Sequence, residues 1–224
     1  MNPYQVVRDF EAALCKYTDA KYAVTTNSCT MALLLAAKWD VRKFEQGVRK
    51  ADELRHAEGD FRVALRDRKP MFMVPKRTYV SVPMSIIHAG GKPVFGDFDW
   101  LGEYRLAPSP VWDSARLFTN GMYRPGQFQC VSFHASKILG DTQGGAILHD
   151  SPEADAWLRK MRFDGRTEGV PPNQDNFTEL GYHCYMSNDV AARLMLKLSV
   201  LPKYNAPLPN DPYPDLSQFE VFNV

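Results

Sequence analysis

The chain of 224 residues contains 45% hydrophobic and 24% charged residues, the composition of an ordinary globular protein with a sizeable core. Its formal net charge of +1 gives no general attraction to nucleic acid or to an anionic membrane, so neither is expected as a partner. No apolar run approaches the ~20 residues that a membrane-spanning helix needs.

The periodicity of apolar side chains predicts alternating helices and strands along most of the chain. In chain order the predicted elements are a helix at 4–17, a strand at 22–24, a helix at 29–39, a strand at 71–75, a helix at 82–88, strands at 93–97, 110–113, 128–133 and 145–148, and helices at 151–162 and 188–200. Strands that alternate with helices predict an α/β fold with a mostly parallel sheet.

Two segments fall outside this alternation. Residues 41–68 are highly charged with few apolar positions, which predicts one or two exposed helices. The tail from Pro202 contains five prolines and is predicted to be extended.

The cysteines and the N-terminal residues indicate where the protein works. Cys15, Cys29, Cys130 and Cys184 show no CxxC spacing, and the histidines form no close pair, so we expect reduced thiols and no metal site. The first residues lack the charged-then-apolar plan of a signal peptide. The sequence therefore predicts a cytoplasmic protein.

The segment from Ser132 to Lys137 is the most informative part of the sequence. Lys137 follows an apolar strand that ends near Ser132 and precedes the glycines Gly144 and Gly145. A lysine amine in such a place can form a Schiff base with a cofactor aldehyde, and the serine hydroxyl can hold the cofactor's phosphate. Because a loop lysine is more often a solvated surface charge, this interpretation depends on the rest of the chain.

Two segments further upstream could complete such a site. Ser28, Cys29 and Thr30 stand where a strand turns into a helix, and the free amides of a helix start suit a phosphate. A plain helix N-cap is the alternative. Tyr79 follows another strand and could stack on a planar cofactor ring, or it could be an ordinary packed tyrosine.

Asp113 closes a predicted strand. A carboxylate there could pair with a protonated ring nitrogen and keep the ring electron-withdrawing, although a solvated strand-end aspartate is the simpler interpretation. Each segment alone is weak evidence for a cofactor site. All of them follow strands, however, and cofactors in α/β sheets bind at the carboxyl ends of the strands.

In this order the segments resemble the DegT/DnrJ/EryC1/StrS family of sugar aminotransferases, which are pyridoxal-phosphate enzymes of fold type I. The resemblance runs from about Phe10 to Leu198. The matching segments are Ser132-Phe133-His134 with Lys137, Asn27-Ser28-Cys29-Thr30, Pro75 to Tyr79, Asp113-Ser114-Ala115, Gly144-Gly145-Ala146 and Gly181-Tyr182. The resemblance implies a three-layer α/β fold with a mostly parallel sheet, like the large domain of aspartate aminotransferase.

The resemblance also implies a role for each candidate residue. Lys137 and Asp113 are expected to be catalytic: the lysine holds pyridoxal 5′-phosphate and moves protons, and the aspartate keeps the ring nitrogen protonated. The other cofactor-binding residues are expected to be Ser28, Cys29, Thr30 and Ser132 at the phosphate, Tyr79 on the ring, and His183, which enters the site of the other subunit of a homodimer.

The activity implied is an amino transfer from glutamate to a keto-sugar that is linked to a nucleotide. Relatives with histidine in place of the lysine act as dehydratases, so Lys137 favours transamination.

The sequence departs from the family pattern in several places. Cys29 stands where glycine is usual, and Arg116 stands where glutamine or histidine is common. The connection 97–113 is shorter than in the family, and 41–68 resembles an insertion. We expect a cofactor-binding large domain at 1–200 and a short tail at 201–224, where the family continues into a small domain.

Two other functions remain open. The departures favour a catalytically degenerate protein of the same fold that acts as a binding or structural component. The second alternative is an unrelated nucleotide-binding α/β protein. The absence of a GxGxxG or GxxxxGK[ST] run from the sequence counts against it.

Overall fold

The computed structural model describes residues 4–57 and 68–224. Within these ranges the helices are α1 (Gln5–Thr18), α2 (Cys29–Ala57), α3 (Ser81–Ala89), α4 (Pro152–Met161) and α5 (Asn188–Ser199). The strands are β1 (Tyr22–Thr26), β2 (Met71–Pro75), β3 (Lys92–Gly96), β4 (Tyr104–Arg105), β5 (Val111–Asp113), β6 (Phe128–Ser132) and β7 (Gly145–His149). Two short 3-10 helices, Leu216–Gln218 and Glu220–Phe222, follow. All of the predicted strands are present, and β4 has no predicted counterpart.

The predicted α/β class is confirmed, but the prediction of a mostly parallel sheet is wrong because the sheet is mixed. The main sheet has the order β1-β7-β6-β5-β4, in which β5 and β6 are parallel and the other pairs are antiparallel. A separate parallel pair is formed by β2 and β3. Loops that return directly join β4 to β5 and β6 to β7 and allow antiparallel pairing, whereas the connection 114–127 crosses over so that β5 and β6 run parallel.

Helices cover both faces of the main sheet and give the three layers expected. On one face α1 and α5 pack with Val131 and Ala146, and on the other α2 and α4 pack with Cys130 and Ile147. Neighbouring residues of β6 and β7 reach opposite faces because side chains alternate along a strand. The core therefore lies on both sides of these central strands.

The second helix is longer than its apolar pattern predicts. The described part of the charged segment 41–68 continues α2 as far as Ala57 and does not form a separate helix there. From 42 to 51 the side chains are exposed or partly exposed, and a helix without a buried face shows no apolar periodicity that marks its end. Residues 58–67 of the predicted insertion lie outside the described residues, and among the described helices none is long and apolar enough to cross a membrane.

The proline-rich tail packs against the rest of the fold. Leu216 and Phe222 are buried, with 2% and 3% of their surface exposed. The ring centroids of Phe222 and Phe95 are 5.9 Å apart, so the end of the tail is held next to β3.

His149, the last residue of β7, is fully buried between aromatic rings. Its ring stacks on Tyr22 and Phe128, with centroids 5.4 and 5.6 Å away. Its Nε2 lies 3.7 Å from Asp155 Oδ1, and neither ring nitrogen has a hydrogen-bond partner among the described residues. Burial lowers the pKa of His149 from 6.5 to about 4, because a buried imidazolium loses its hydration.

We expect a His149→Gln variant to lose less stability in acid than the unmodified chain. As the pH falls from 6.5 to about 4, the unfolded chain binds a proton at His149 that the folded chain does not, so the free energy of unfolding falls. The shift corresponds to about 3 kcal/mol. Burial raises the pKa of Asp155 to about 6, so this residue makes the free energy of unfolding rise as the pH falls. Asp155 is present in both proteins, so its contribution cancels when they are compared. Urea unfolding across this pH window measures the difference, and equal pH slopes would contradict the assignment.

Candidate active site

Seven of the eight predicted cofactor residues line one cavity of about 390 Å³. The cavity lies where β1, β5 and β6 end and β7 begins. The seven residues are Ser28, Cys29, Thr30, Tyr79, Asp113, Ser132 and Lys137. His183 is not among the lining residues: its side chain is 70% exposed, and its Nδ1 lies 2.8 Å from Asp164 Oδ2.

The strand register brings the turn before α2 next to Ser132. Gly145 of β7 pairs with Thr26 of β1 on one side and with Ser132 of β6 on the other. A Cβ atom on Gly145 would lie 2.5 Å from the backbone nitrogen of Cys29, so glycine is needed for this close approach. The cradle formed by the turn and Ser132 therefore depends on Gly145.

The N-terminus of α2 supplies hydroxyl and amide groups to the cavity. Ser28 Oγ accepts a hydrogen bond from the Met31 N–H at 3.2 Å, which caps the helix. Thr30 Oγ1 lies 2.9 Å from Ser81 Oγ. The first turn of a long helix also carries partial positive charge, so this end of the cavity suits a phosphate group.

Cys29 leaves this turn open because its side chain packs into the core. Its Sγ lies 3.8 Å from the carbonyl oxygen of Cys130. Burial raises the pKa of the Cys29 thiol well above its ordinary value, and the nearby Asp113 raises it further. The thiol is therefore protonated, and Cys29 contributes its backbone to the turn.

Asp113 is a buried carboxylate without an ion-pair partner in the described part of the chain. Its side chain accepts hydrogen bonds from the Ala115 N–H at 3.0 Å and from the Tyr104 hydroxyl at 2.9 Å. The Tyr104 hydroxyl also lies 2.6 Å from Thr78 Oγ1. Burial raises the pKa of Asp113, while these hydrogen bonds and Lys137 oppose the rise. A cationic group in the cavity would give this carboxylate the partner that it lacks.

Lys137 lies in the loop after β6. Its backbone N–H bonds to the carbonyl oxygen of His134 at 2.8 Å, and His134 Nδ1 lies 3.0 Å from Ser136 Oγ. Burial lowers the pKa of the Lys137 amine, and the guanidinium of Arg116 lowers it further, against the opposing charge of Asp113. A lowered pKa favours the neutral amine, which is the nucleophilic form of a lysine.

Two exposed or partly exposed aromatic side chains, Tyr79 and Trp100, line the cavity. Tyr79 is 58% exposed, so it is not the packed core tyrosine of the alternative interpretation. Trp100 donates a hydrogen bond to the Arg77 carbonyl at 3.0 Å, and its ring centroid lies 4.7 Å from that of Tyr104. The sequence pattern did not identify Trp100 or Tyr104, because Trp100 lies in a loop and β4, which contains Tyr104, has only two residues.

The tail supplies lining residues that the sequence did not reveal. Asp211 and Tyr213 line the cavity together with Arg116, which follows Asp113 on the same connection. Arg116 Nη1 lies 2.7 Å from Asp211 Oδ2 and 3.2 Å from the Tyr213 hydroxyl. Nothing in a proline-rich segment signals such a contact, since the partners are far apart in sequence.

Comparison with known proteins links the chain to aminotransferases. The model of the DegT/DnrJ/EryC1/StrS aminotransferase family matches residues 1–54 and 122–207. These two blocks contain the turn at α2, Ser132 and Lys137, while Tyr79 and Asp113 lie between them. The chain is also similar to the spore coat polysaccharide biosynthesis protein SpsC of Bacillus subtilis (strain 168), with 32% identity over 162 residues, covering 71% of this chain and 35% of SpsC.

Solved structures share the fold at low sequence identity. Helicobacter pylori PseC, an aminotransferase involved in the biosynthesis of pseudoaminic acid, matches with a TM-score of 0.63 and 16% identity over 87% of this chain and 57% of that chain. NtdA from Bacillus subtilis, with bound cofactor PMP, matches with a TM-score of 0.61 and 16% identity over 88% of this chain and 48% of that chain. The chain thus spans about a third of SpsC and about half of these solved chains.

Proposed function

Because the chain belongs to the DegT/DnrJ/EryC1/StrS aminotransferase family, we propose that it is a pyridoxal-phosphate-dependent enzyme that transfers an amino group from glutamate to a nucleotide-linked keto-sugar. One observation carries the proposal: Lys137 and Asp113 line the same cavity as the N-terminus of α2. The cavity thus combines an amine, a buried carboxylate and a phosphate-binding helix end.

Pyridoxal 5′-phosphate is the cofactor of this family, and residues of the cavity fit its phosphate and its ring nitrogen. The helix end beside Ser132 suits the phosphate, with Gly145 leaving room for the cradle. The buried carboxylate of Asp113, which has no ion-pair partner among the described residues, suits a protonated ring nitrogen. When bound, the cofactor supplies an aldehyde carbon that exchanges amino groups and a ring that withdraws electrons.

Each side chain then has a proposed task. Lys137 is the covalent attachment point, and its amine, once free, moves a proton to and from the substrate carbon. Asp113 keeps the ring nitrogen protonated, and Tyr79 stacks on the ring. Ser28, Cys29 (through its backbone), Thr30 and Ser132 hold the phosphate.

The proposal also covers the acceptor, the assembly and the location. The names of SpsC and PseC connect those proteins with polysaccharide and pseudoaminic acid biosynthesis, which supports a sugar acceptor for this chain. We propose a cytoplasmic homodimer in which His183 reaches the partner subunit's site, and the 70% exposure of its side chain is compatible with that role. A large domain at 1–200 and a tail at 201–224 remain part of the proposal.

A spectral half-reaction tests the activity. The purified chain is loaded with pyridoxal 5′-phosphate, mixed with glutamate, and then given keto-sugar nucleotides. An enzyme should lose its visible absorbance band with glutamate and regain it with the correct acceptor. A band that glutamate leaves unchanged would contradict the proposal.

A catalytically inactive binding or structural protein of the same fold is the second candidate. The contact of Asp211 with Arg116 inside the cavity favours it, because a carboxylate from the chain itself already occupies part of the site. This candidate predicts cofactor binding, or sugar nucleotide binding, without the half-reaction.

We expect Tyr104→Phe to make cofactor binding more sensitive to acid. The Tyr104 hydroxyl lowers the pKa of Asp113 by hydrogen bonding, so its removal lets that pKa rise. The carboxylate then becomes protonated at a higher pH and loses its attraction for the ring nitrogen. Loss of one such bond should weaken binding about threefold to tenfold at neutral pH.

The visible band, followed during acid titration, measures this effect. Tyr123→Phe is the matched control, because the Tyr123 hydroxyl bonds to the Gln127 carbonyl and does not line the cavity. If both variants release the cofactor at the same pH as the unmodified chain, Tyr104 does not support Asp113.

A further inference from the structure

The segment 209–214 of the tail, here called the strap, is held by backbone hydrogen bonds just before and just after it. Before it, the Leu208 N–H bonds to the Arg116 carbonyl at 2.9 Å. After it, the Leu216 N–H bonds to the Lys76 carbonyl at 2.8 Å. Between these anchors Asp211 and Tyr213 line the cavity, so the strap forms part of its wall.

The guanidinium of Arg116 is the point where the strap meets the site. Its Nη1 bonds to Asp211 and Tyr213, and its Nη2 donates to the Pro209 carbonyl. Its Nε is buried and has no hydrogen-bond partner among the described residues. Since buried N–H groups are nearly always paired, this N–H is a hydrogen-bond donor that still lacks an acceptor among the described residues.

The two partners of this ion pair differ in exposure. The Arg116 side chain is 9% exposed, whereas that of Asp211 is 62% exposed. The carboxylate can therefore move into water at little cost, while the guanidinium must keep a partner. With Asp211 displaced, the Arg116 guanidinium loses its carboxylate partner and can pair with another anion.

We propose that Arg116 binds a carboxylate group of the amino donor, and that Asp211 occupies this position until the donor displaces it. Arg116 lines the same cavity as Lys137, so a donor held there has its carboxylate and its amine in one site. A planar guanidinium suits a carboxylate because it can donate two parallel hydrogen bonds. The inference rests on the proposed aminotransferase function and specifies which residue selects a carboxylate-bearing donor.

Binding of glutarate, an unreactive dicarboxylate, tests the proposal without chemistry. Calorimetry is carried out on the full chain with and without pyridoxal 5′-phosphate. Arg116→Gln should weaken glutarate binding about tenfold or more, the loss expected for a charge-assisted pair. Asp211→Asn should tighten it several-fold, because the competing carboxylate is gone. A variant that had merely lost its fold could not bind more tightly.

Arg105→Gln is the matched control, because Arg105 bonds to the carbonyls of Pro108 and Ser109 outside the cavity. It should bind glutarate like the unmodified chain. In the loaded protein, Arg116→Gln should slow the reaction with glutamate about tenfold more than that with benzylamine, which carries no carboxylate and reports any change in Lys137 itself. Retention of the visible band in Arg116→Gln separates donor binding from cofactor binding.

Three results would overturn the proposal. The first is glutarate binding that is unchanged in Arg116→Gln, and the second is the absence of glutarate binding by a chain that loads the cofactor. The third is glutarate binding that Asp211→Asn leaves unchanged, because the carboxylate of Asp211 would then not compete with the donor. A chain that binds glutarate through Arg116 but never forms the visible band would instead contradict the proposed function alone.

Discussion

Replacing Lys137 with alanine should slow the glutamate half-reaction by about 10⁴-fold, the upper range for loss of a positioned proton-transfer group. The same change removes the nucleophile, so no cofactor should be attached covalently. Burial and Arg116 lower the pKa of this amine, which keeps more of it neutral than an exposed lysine would be. Because the neutral amine is the reactive form, an exposed lysine elsewhere should not restore the activity that Lys137→Ala loses.

Borohydride reduction followed by mass spectrometry locates the attachment. The unmodified chain should carry the reduced cofactor on the peptide that contains Lys137, and Lys137→Ala should carry none. Lys92→Ala is the control, since Lys92 is an exposed residue of β3 that does not line the cavity. An alanine variant that keeps the band and the covalent label would refute the assignment of Lys137.

The largest expected effect on stability comes from Arg162. This residue is 1% exposed, and its guanidinium bonds to the Glu11 carboxylate and to the Thr25 carbonyl, the latter at 2.7 Å. Glu11 in turn accepts the Thr25 N–H at 2.9 Å. The network ties α1 and the end of α4 to β1, immediately before the turn that forms the phosphate end of the cavity.

Arg162→Met should lower the free energy of unfolding by about 3 kcal/mol, because it leaves Glu11 buried with fewer partners. Denaturant unfolding measures this loss. The double variant Arg162→Met with Glu11→Leu should recover part of it, since two apolar side chains replace a buried ion pair without an unpaired charge. If the loss in the double variant equals the sum of the losses in Arg162→Met and Glu11→Leu measured separately, the two side chains are not coupled.

Local patterns predicted the elements that carry most of the candidate site. The strand Met71–Pro75 has its predicted bounds, and α3 is followed by the predicted capping residue Gly90, which adopts a φ of +96° that favours glycine. Strand ends at Asp113 and Ser132 were also predicted closely. Such signals are local, since alternation and capping depend on neighbouring residues. The role of His183 stays a prediction, because it concerns a partner subunit.

The order of motifs along the sequence was by itself enough to indicate the family and its cofactor, and it singled out Lys137 as the candidate for attachment. Tertiary structure decided the antiparallel returns in the sheet, the hydrogen bond from Tyr104 to Asp113, and the contact of the strap with Arg116. Arg116 and Asp211 are 95 positions apart, so no pattern in either segment predicts their pairing. Local chemistry sets where strands and helices begin and end, but only the folded path of the chain determines which distant charges meet in the cavity.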